Sequence, residues 1–521
     1  MKFKPIFLLV VLFWSMNIVS QTEVTYDLQM EGAAGTGTYM PYYLVSKRHG
    51  VVSVENNSGY MMAGTKISHQ IGDWTFTGRA KLQGAANAYS NVYLQECFGQ
   101  VSWKCFDLFV GTKEMHSPLR DFELSSGSLT WSGNCRPIPQ IMFGNNRYEP
   151  IPGTKGWMEF YVEGGYGRVI DDNYMTETYN QYVTDNAPYT QNISVGSWYH
   201  HKLLSLRTNP NKPFVWEGIM DHCAMFGDRH NFYRYKQLQE GTVPEWQHYD
   251  PTAKDFWNIL IPGHGGENSS ASDQAHFLGN HLGIITFLFE YQWGKDLKHK
   301  IGAYAEAIYE DGSGMRKGNG YDGLWGLEYH NKHKDSWVNG VVFEYLQTTH
   351  QSGPILWNPA YNGLQIEGSA DFMPNAVGGI DDYYNNITHN GYSHYGMACG
   401  SPMLKSPIYN EDHFQGFTDN RVKAWHIGVN GIIHQWQGRH PSQLDYRLLA
   451  SYRQSWGNYY CPSPDILTST NGLMEFTWRR GPLSASLSLA FDRGELYGKN
   501  NAANLRVCLD GILFKKSKPS Q

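Results

Sequence analysis

The chain has 521 residues, of which 15% are aromatic and 17% charged, with 55 glycines and a formal net charge of -6. The aromatic load excludes intrinsic disorder, which goes with few large apolar side chains, and the mildly acidic balance gives no footing for a nucleic-acid partner. Beyond the N-terminus no apolar run approaches the roughly 18 residues of a membrane-crossing helix, so a helical membrane bundle is excluded too.

At the N-terminus Lys2 and Lys4 precede an apolar run over 6–14, and Ser15, Asn17 and Ser20 follow. This charged, apolar, small-residue order is that of a secretory signal, so residues 1–20 are expected to be a signal peptide cut between Ser20 and Gln21. The remainder, 21–521, is expected to form a single domain with a short helical element near 37–48.

Strand periodicity dominates from there on. In 73–83, Trp74, Phe76, Gly78, Ala80 and Leu82 share one face while Arg79, Lys81 and Gln83 share the other. That period of two predicts a half-apolar strand. The same pattern predicts strands over 24–32, 51–69, 73–86, 91–102, 104–113, 138–145, 155–167, 195–207 and 213–225. In the second half it predicts 284–293, 298–309, 322–331, 336–347, 421–434, 443–453, 472–479, 483–492 and 503–514. Most reach the roughly 9–11 residues that cross a bilayer at a tilt, whereas soluble strands average nearer 5–6.

The connections alternate in length. Short ones fall at 294–297, 332–335, 435–442 and 480–482; between them lie longer ones at 310–321, 348–420, 454–471 and 493–502. With the same parity the N-terminal half has long outer loops at 114–137, 168–194 and 226–283. Short turns on one rim and long loops on the other is the pattern of outer-membrane barrels, with the short turns periplasmic. Trp103, Trp293, Trp337, Trp436 and Trp478 all sit beside predicted short turns, where indoles would form an interfacial girdle. The fold expected is therefore all-β: a transmembrane antiparallel β-barrel of about 18 strands, with loop and short-helix elements as a plug.

Seven cysteines are scattered, none spaced C-x-x-C, and an odd count leaves at least one thiol free. They read as small apolar or lumen residues and not as a disulfide framework. No G-x-S-x-G elbow, H-E-x-x-H helix or P-loop occurs, so no catalytic motif, metal site or cofactor is predicted. Loop 348–420 is instead dense in rings, among them Trp357, Tyr361, Tyr383 and Tyr384, with many Asn, Gly and His residues. Such rings can stack on sugar faces while amides and imidazoles hydrogen-bond hydroxyls; they can equally pack into a lid.

Three stretches carry a resemblance: YMPYYL at 39–44, SGSLTWSGNCRPIPQI at 126–141 and LGNHLG at 278–283. Together they resemble the capsule assembly Wzi family, in its Bacteroides-like branch, over nearly the whole mature chain. The resemblance implies an outer-membrane, lectin-like barrel of about 18 strands that holds capsular polysaccharide to the cell without catalysis. In the second stretch Pro137 and Pro139 enforce extended backbone, and Arg136 can anchor a loop folded into a polar lumen. In the third, Gly279 and Gly283 permit close backbone approach around Asn280 and His281. Trp131, Arg136, Asn280, His281, Trp357, Tyr361, Tyr383 and Tyr384 are the residues taken as polysaccharide contacts.

The reading is thus a non-catalytic protein of the cell outer membrane that binds capsular polysaccharide and attaches it to the surface. Expected partners are that polymer, outer-membrane lipid and the capsule export machinery, with the chain monomeric. A channel for small solutes is the alternative, and an enzyme acting on lipid or glycan the third.

Overall fold

The structure is a computed structural model that describes residues 20–118, 121–186, 192–232, 247–267, 269, 273–274, 277–310, 312–351, 356–357, 376–377, 381–386, 389, 391–458 and 462–516. The proposed signal segment, apart from Ser20, lies outside the described residues.

Eighteen strands form the wall. The first six are β1 (Ser20–Thr36), β2 (Gly59–Ile71), β3 (Trp74–Ala86), β4 (Val92–Trp103), β5 (Phe106–Thr112) and β6 (Gln140–Asn145). Next come β7 (Met158–Arg168), β8 (Trp198–Thr208), β9 (Phe214–Phe226), β10 (Asn280–Trp293), β11 (His299–Tyr309) and β12 (Gly323–Asn331). The last six are β13 (Gly340–Gln347), β14 (Val422–Trp436), β15 (Ser442–Gly457), β16 (Pro462–Arg480), β17 (Leu483–Gly494) and β18 (Asn500–Lys516). Each pairs antiparallel with its neighbours, and β18 returns to β1 from Thr22↔Lys516 to Thr36↔Asn501, with one shift of register between Val24 and Thr25, closing the sheet. A closed sheet leaves no unpaired edge, which is what a bilayer requires of strands.

Polarity is inverted relative to a soluble sandwich. In β17, Leu487, Leu489 and Phe491 face outward and exposed, while Ser486, Ser488 and Asp492 face inward and buried. Each of the 18 strands carries at least one exposed large apolar side chain, so the apolar band runs round the whole wall. Such a band has hydrocarbon as its natural solvent. Trp103, Trp293, Trp337 and Trp436, joined by Trp74 and Trp157, are exposed at the rim carrying the short turns, and Trp478 is half-buried there.

Three predicted boundaries move. The expected long loop 454–471 is mostly strand, because β15 and β16 continue their ladder to Gly457↔Pro462 and leave only 458–461 between them. The strand expected from 51 begins at Gly59; Val51, Val52 and Val54 are buried against the lumen filling instead. Around 37–48 only one helical turn forms, α1 (Tyr42–Val45). Its four side chains are all buried.

Among the described residues the loops on the other rim carry α2 (Asp172–Asn186), α3 (Ala253–Leu260) and a single helical turn over Gly312–Met315. α3 opens with a capping box, Thr252 and Asp255 each satisfying the other's backbone. It lies on the outside of the wall: Phe256 meets Trp198, Phe226 and Tyr166, and the Tyr166 hydroxyl donates to the Phe256 carbonyl (2.7 Å). Beneath it sit outward-facing polar groups of β8 and β9, His200, Lys202 and His222, which lipid alone would leave unsatisfied. Lys202 donates to the Leu260 carbonyl at the end of α3.

Three outer loops meet at His389. Its ring nitrogens lie 3.0 Å from Asp228 and 3.1 Å from Asp273, both buried, and the Ser194 hydroxyl also donates to Asp228. Burial works against charge on the ring, but the two carboxylates outweigh it and raise His389 to about 10. A folded value above the unfolded one, about 6.5, means the clasp contributes fully below that value and is lost as pH rises through about 10. Limited proteolysis of the outer loops is therefore expected to accelerate as pH climbs towards 10, and His389→Gln should show the fast pattern already at neutral pH.

Candidate functional site

The lumen is filled by the chain itself. After β5 the backbone does not stand above the mouth but descends into the barrel, and every residue from Leu124 to Cys135 is buried. Inward-facing acids of three strands hold it. Glu344 of β13 accepts from the Ser125 hydroxyl (2.7 Å), the Ser126 N–H (2.5 Å) and the Tyr304 hydroxyl (2.6 Å). Glu306 of β11 accepts the Leu129 N–H (3.0 Å), and Asp221 of β9 accepts the Thr130 hydroxyl (2.7 Å). A low-dielectric interior makes such charge-assisted bonds strong, and each carboxylate answers donors that would otherwise be orphaned.

A second segment, from the loop between β13 and β14, closes over the first. The Ser132 N–H donates to the Cys399 carbonyl (3.1 Å), and the Asn134 amide to the Ala398 carbonyl (3.0 Å). Gly400 allows this contact, since a Cβ there would overlap the Leu129 carbonyl. The fully buried Arg453 of β15 donates to the Met403 carbonyl (3.2 Å) and the Tyr497 hydroxyl (3.1 Å), with its guanidinium 4.1 Å above the Tyr42 ring. α1 is moored by its Tyr42 N–H to Asp492 of β17 (3.1 Å) and by Tyr43, whose hydroxyl pairs with His426 of β14 (2.7 Å).

Below this plug, toward the short-turn rim, is a cavity of about 610 Å³. Its wall is charged but largely paired: Glu475 lies between Arg447 (3.0 Å) and Arg506 (3.2 Å), and Arg48 reaches Glu31 (2.6 Å). One group among the described residues has the ligand types of a metal centre, His201, Asp221 and Cys223, buried in the lumen. Its members are engaged with one another and with the plug: His201 with Asp221 (2.8 Å), Asp221 with Thr130, and Cys223 with the Tyr199 hydroxyl (3.2 Å).

On the outer side, three loops and one strand bring tyrosines round Arg136. Its guanidinium lies 4.0 Å from the Tyr93 ring centre and 4.4 Å from that of Tyr395, and it donates to the Ser90 hydroxyl (3.1 Å). Tyr89, 47% exposed, meets Tyr174 edge-on at 5.0 Å and donates to Glu177 (3.0 Å). The Tyr395 N–H donates to Asp171 (2.8 Å). Burial pushes the Asp171 carboxyl up to about 7, so near neutrality this acid is partly uncharged beneath the rings. Half-exposed rings beside a fixed cation can stack on an apolar sugar face, and the guanidinium and tyrosine hydroxyls can hydrogen-bond its oxygens.

The predicted contact residues separate into four settings. Trp131, Tyr383 and Tyr384 come together in the plug and are buried; the Tyr384 hydroxyl donates to the Leu129 carbonyl (2.5 Å) and accepts the Ser401 N–H (2.8 Å). Arg136 reaches the outer mouth. Asn280 is buried on the lumen side of β10, whereas His281 faces the outer wall, hydrogen-bonded to His222 (3.0 Å) and the Leu278 carbonyl (2.8 Å). Trp357 is described only as backbone paired with Ala376, and Tyr361 lies outside the described residues. Tyr89, Tyr93 and Tyr174 escape sequence reasoning because they come from a tight hairpin, a strand and a helix. Only the turn signal at 87–91 beside two tyrosines hints at them.

The sequence matches no family model and no curated protein. The structure is similar to that of Wzi, an outer membrane protein involved in group 1 capsule assembly in Escherichia coli and a carbohydrate-binding β-barrel. The two are 12% identical over 92% of this chain and 84% of that one, with a TM-score of 0.49. It is also similar to Acinetobacter baumannii OccAB4 (10% identity, 95% and 99% covered, TM-score 0.43) and Pseudomonas aeruginosa OpdL (8%, 95% and 99%, 0.44). By its own closed antiparallel sheet and the apolar band round its outside, the chain is an 18-stranded β-barrel of the outer-membrane kind, filled by its own loops.

Proposed function

We propose that this barrel binds exported polysaccharide at the cell surface without catalysis and holds it there. The observation that carries the reading is the tyrosine–arginine cluster around Arg136, which faces outward over a lumen occupied by hydrogen-bonded plug. The stretch 126–141, through its resemblance to the capsule assembly Wzi family, points to a capsular polymer. On this reading residues 1–20 direct export, 21–521 act as one monomeric domain, and the contacts centre on Arg136 with Tyr89, Tyr93 and Tyr395. Trp131, Tyr383 and Tyr384 support that surface from beneath, and Trp357 and Tyr361 belong to the loop that would extend it.

In a strain lacking the gene and any second copy, polymer should still be made but be found mostly in the medium. Unchanged attachment would sink the reading. A second reading, a solute channel, draws on the 610 Å³ cavity below the plug. It requires the native barrel to conduct in planar bilayers, whereas a filled lumen should pass little current.

A further inference from the structure

Cys135 and Cys399 are 264 residues apart in sequence, yet their sulfurs lie 3.3 Å from one another in the middle of the plug. Both side chains are buried. The two segments are already held together around the pair, by the Ser132 N–H on the Cys399 carbonyl, the Asn134 side-chain amide on the Ala398 carbonyl and the His394 ring on the Arg136 carbonyl (2.9 Å). Bringing the sulfurs from 3.3 Å to the roughly 2 Å of a bond therefore needs side-chain rotation and not a backbone shift. Of the other lumen thiols, Cys223 is engaged by the Tyr199 hydroxyl (3.2 Å), and Cys508 lines the cavity toward the short-turn rim.

An outer-membrane protein passes through the periplasm, a compartment in which disulfides form and persist. We propose that Cys135 and Cys399 are joined by a disulfide that locks the two plug segments together. The reaction is thiol–disulfide exchange with a protein oxidant carrying its own disulfide. The thiolate of one cysteine attacks that disulfide, breaking it and forming a mixed disulfide with one carrier sulfur. The second cysteine then attacks the bound sulfur of its partner and releases the carrier. Two electrons pass to the carrier, and its two sulfurs leave as thiols with the two protons. Burial pushes the Cys399 thiol well up, which suppresses thiolate once the plug has closed. Exchange must therefore take place while the two loops are still open. The link does not depend on what the outer mouth binds.

The test is mass spectrometry of the protein taken from outer membranes of its own host, alkylated under denaturing conditions without reduction and then digested. The expected result is one joined peptide pair holding Cys135 and Cys399, which separates and gains two labels on reduction. Cys135→Ser should free a single alkylatable thiol at Cys399, and Cys399→Ser one at Cys135. If both residues carry the alkyl label before reduction, or if either is joined to Cys223, the proposal is overturned. Because the decisive measurement is made on the unaltered chain, it stands even where a serine variant fails to accumulate.

Discussion

Replacing Glu344 by alanine is expected to open the barrel while leaving its wall intact. The carboxylate is buried and accepts three bonds, from the Ser125 hydroxyl, the Ser126 N–H and the Tyr304 hydroxyl. Without it the Ser125 hydroxyl and the Ser126 N–H lose their acceptor inside the lumen, each at a cost on the order of 1–3 kcal/mol, and the Tyr304 hydroxyl loses its bond to the carboxylate. A loss of about 3–5 kcal/mol in all falls on the seam between plug and wall, because no ladder bond between strands is touched. Phe122 and Glu123, next along the chain, already line the cavity below. Loosening there connects that cavity upward. Glu344→Ala should thus run as a folded barrel on unheated gels yet conduct in planar bilayers well above the native protein. Glu344→Gln keeps one accepting oxygen and should lie between them. Equal, low conductance in all three would show that Glu344 is not what secures the plug.

At the outer mouth, Arg136→Ala is expected to weaken binding of the host's own capsular polymer by tenfold or more, or at least about 1.4 kcal/mol. The guanidinium is the plane on which Tyr93 and Tyr395 are held, at 4.0 and 4.4 Å, so its loss removes a cation and unsettles two rings. Arg136→Lys keeps the charge but cannot stack as a plane and should recover only part of the affinity. Tyr89→Ala removes the most exposed ring of the cluster, and a similar loss is expected. Isothermal titration on the purified barrel measures all three. Binding that survives both alanine substitutions unchanged would place the polymer elsewhere on the outer loops.

The wall of this molecule was legible in the sequence, and so was the presence of a plug, but the partners that hold the plug were not, for a physical reason. Alternation such as Leu487, Leu489 and Phe491 against Ser486 and Ser488 is local, and parity of loop length turns such strands into a barrel. It misjudged 454–471 because the strand ladder outruns the bilayer there. Arg136 could be picked out, since two prolines flagged its loop. The partners that make it a site, Tyr93 and Tyr395, are 43 residues before and 259 after it in the numbering, a convergence no local pattern records. The same holds for Cys135 and Cys399, which read separately are merely small buried residues.

The plug also has a history written into its chain order. The distant acceptors that the donors of 125–134 use all come later: Asp221, Glu306, Glu344 and the carbonyls of 398–400. When this segment emerges during synthesis none of them yet exists. Until β9, β11 and β13 are laid down and the loop between β13 and β14 arrives, those donors have only water for company. Filling the lumen is therefore a late step of folding, because these donors meet their acceptors only once β9, β11 and β13 stand in place.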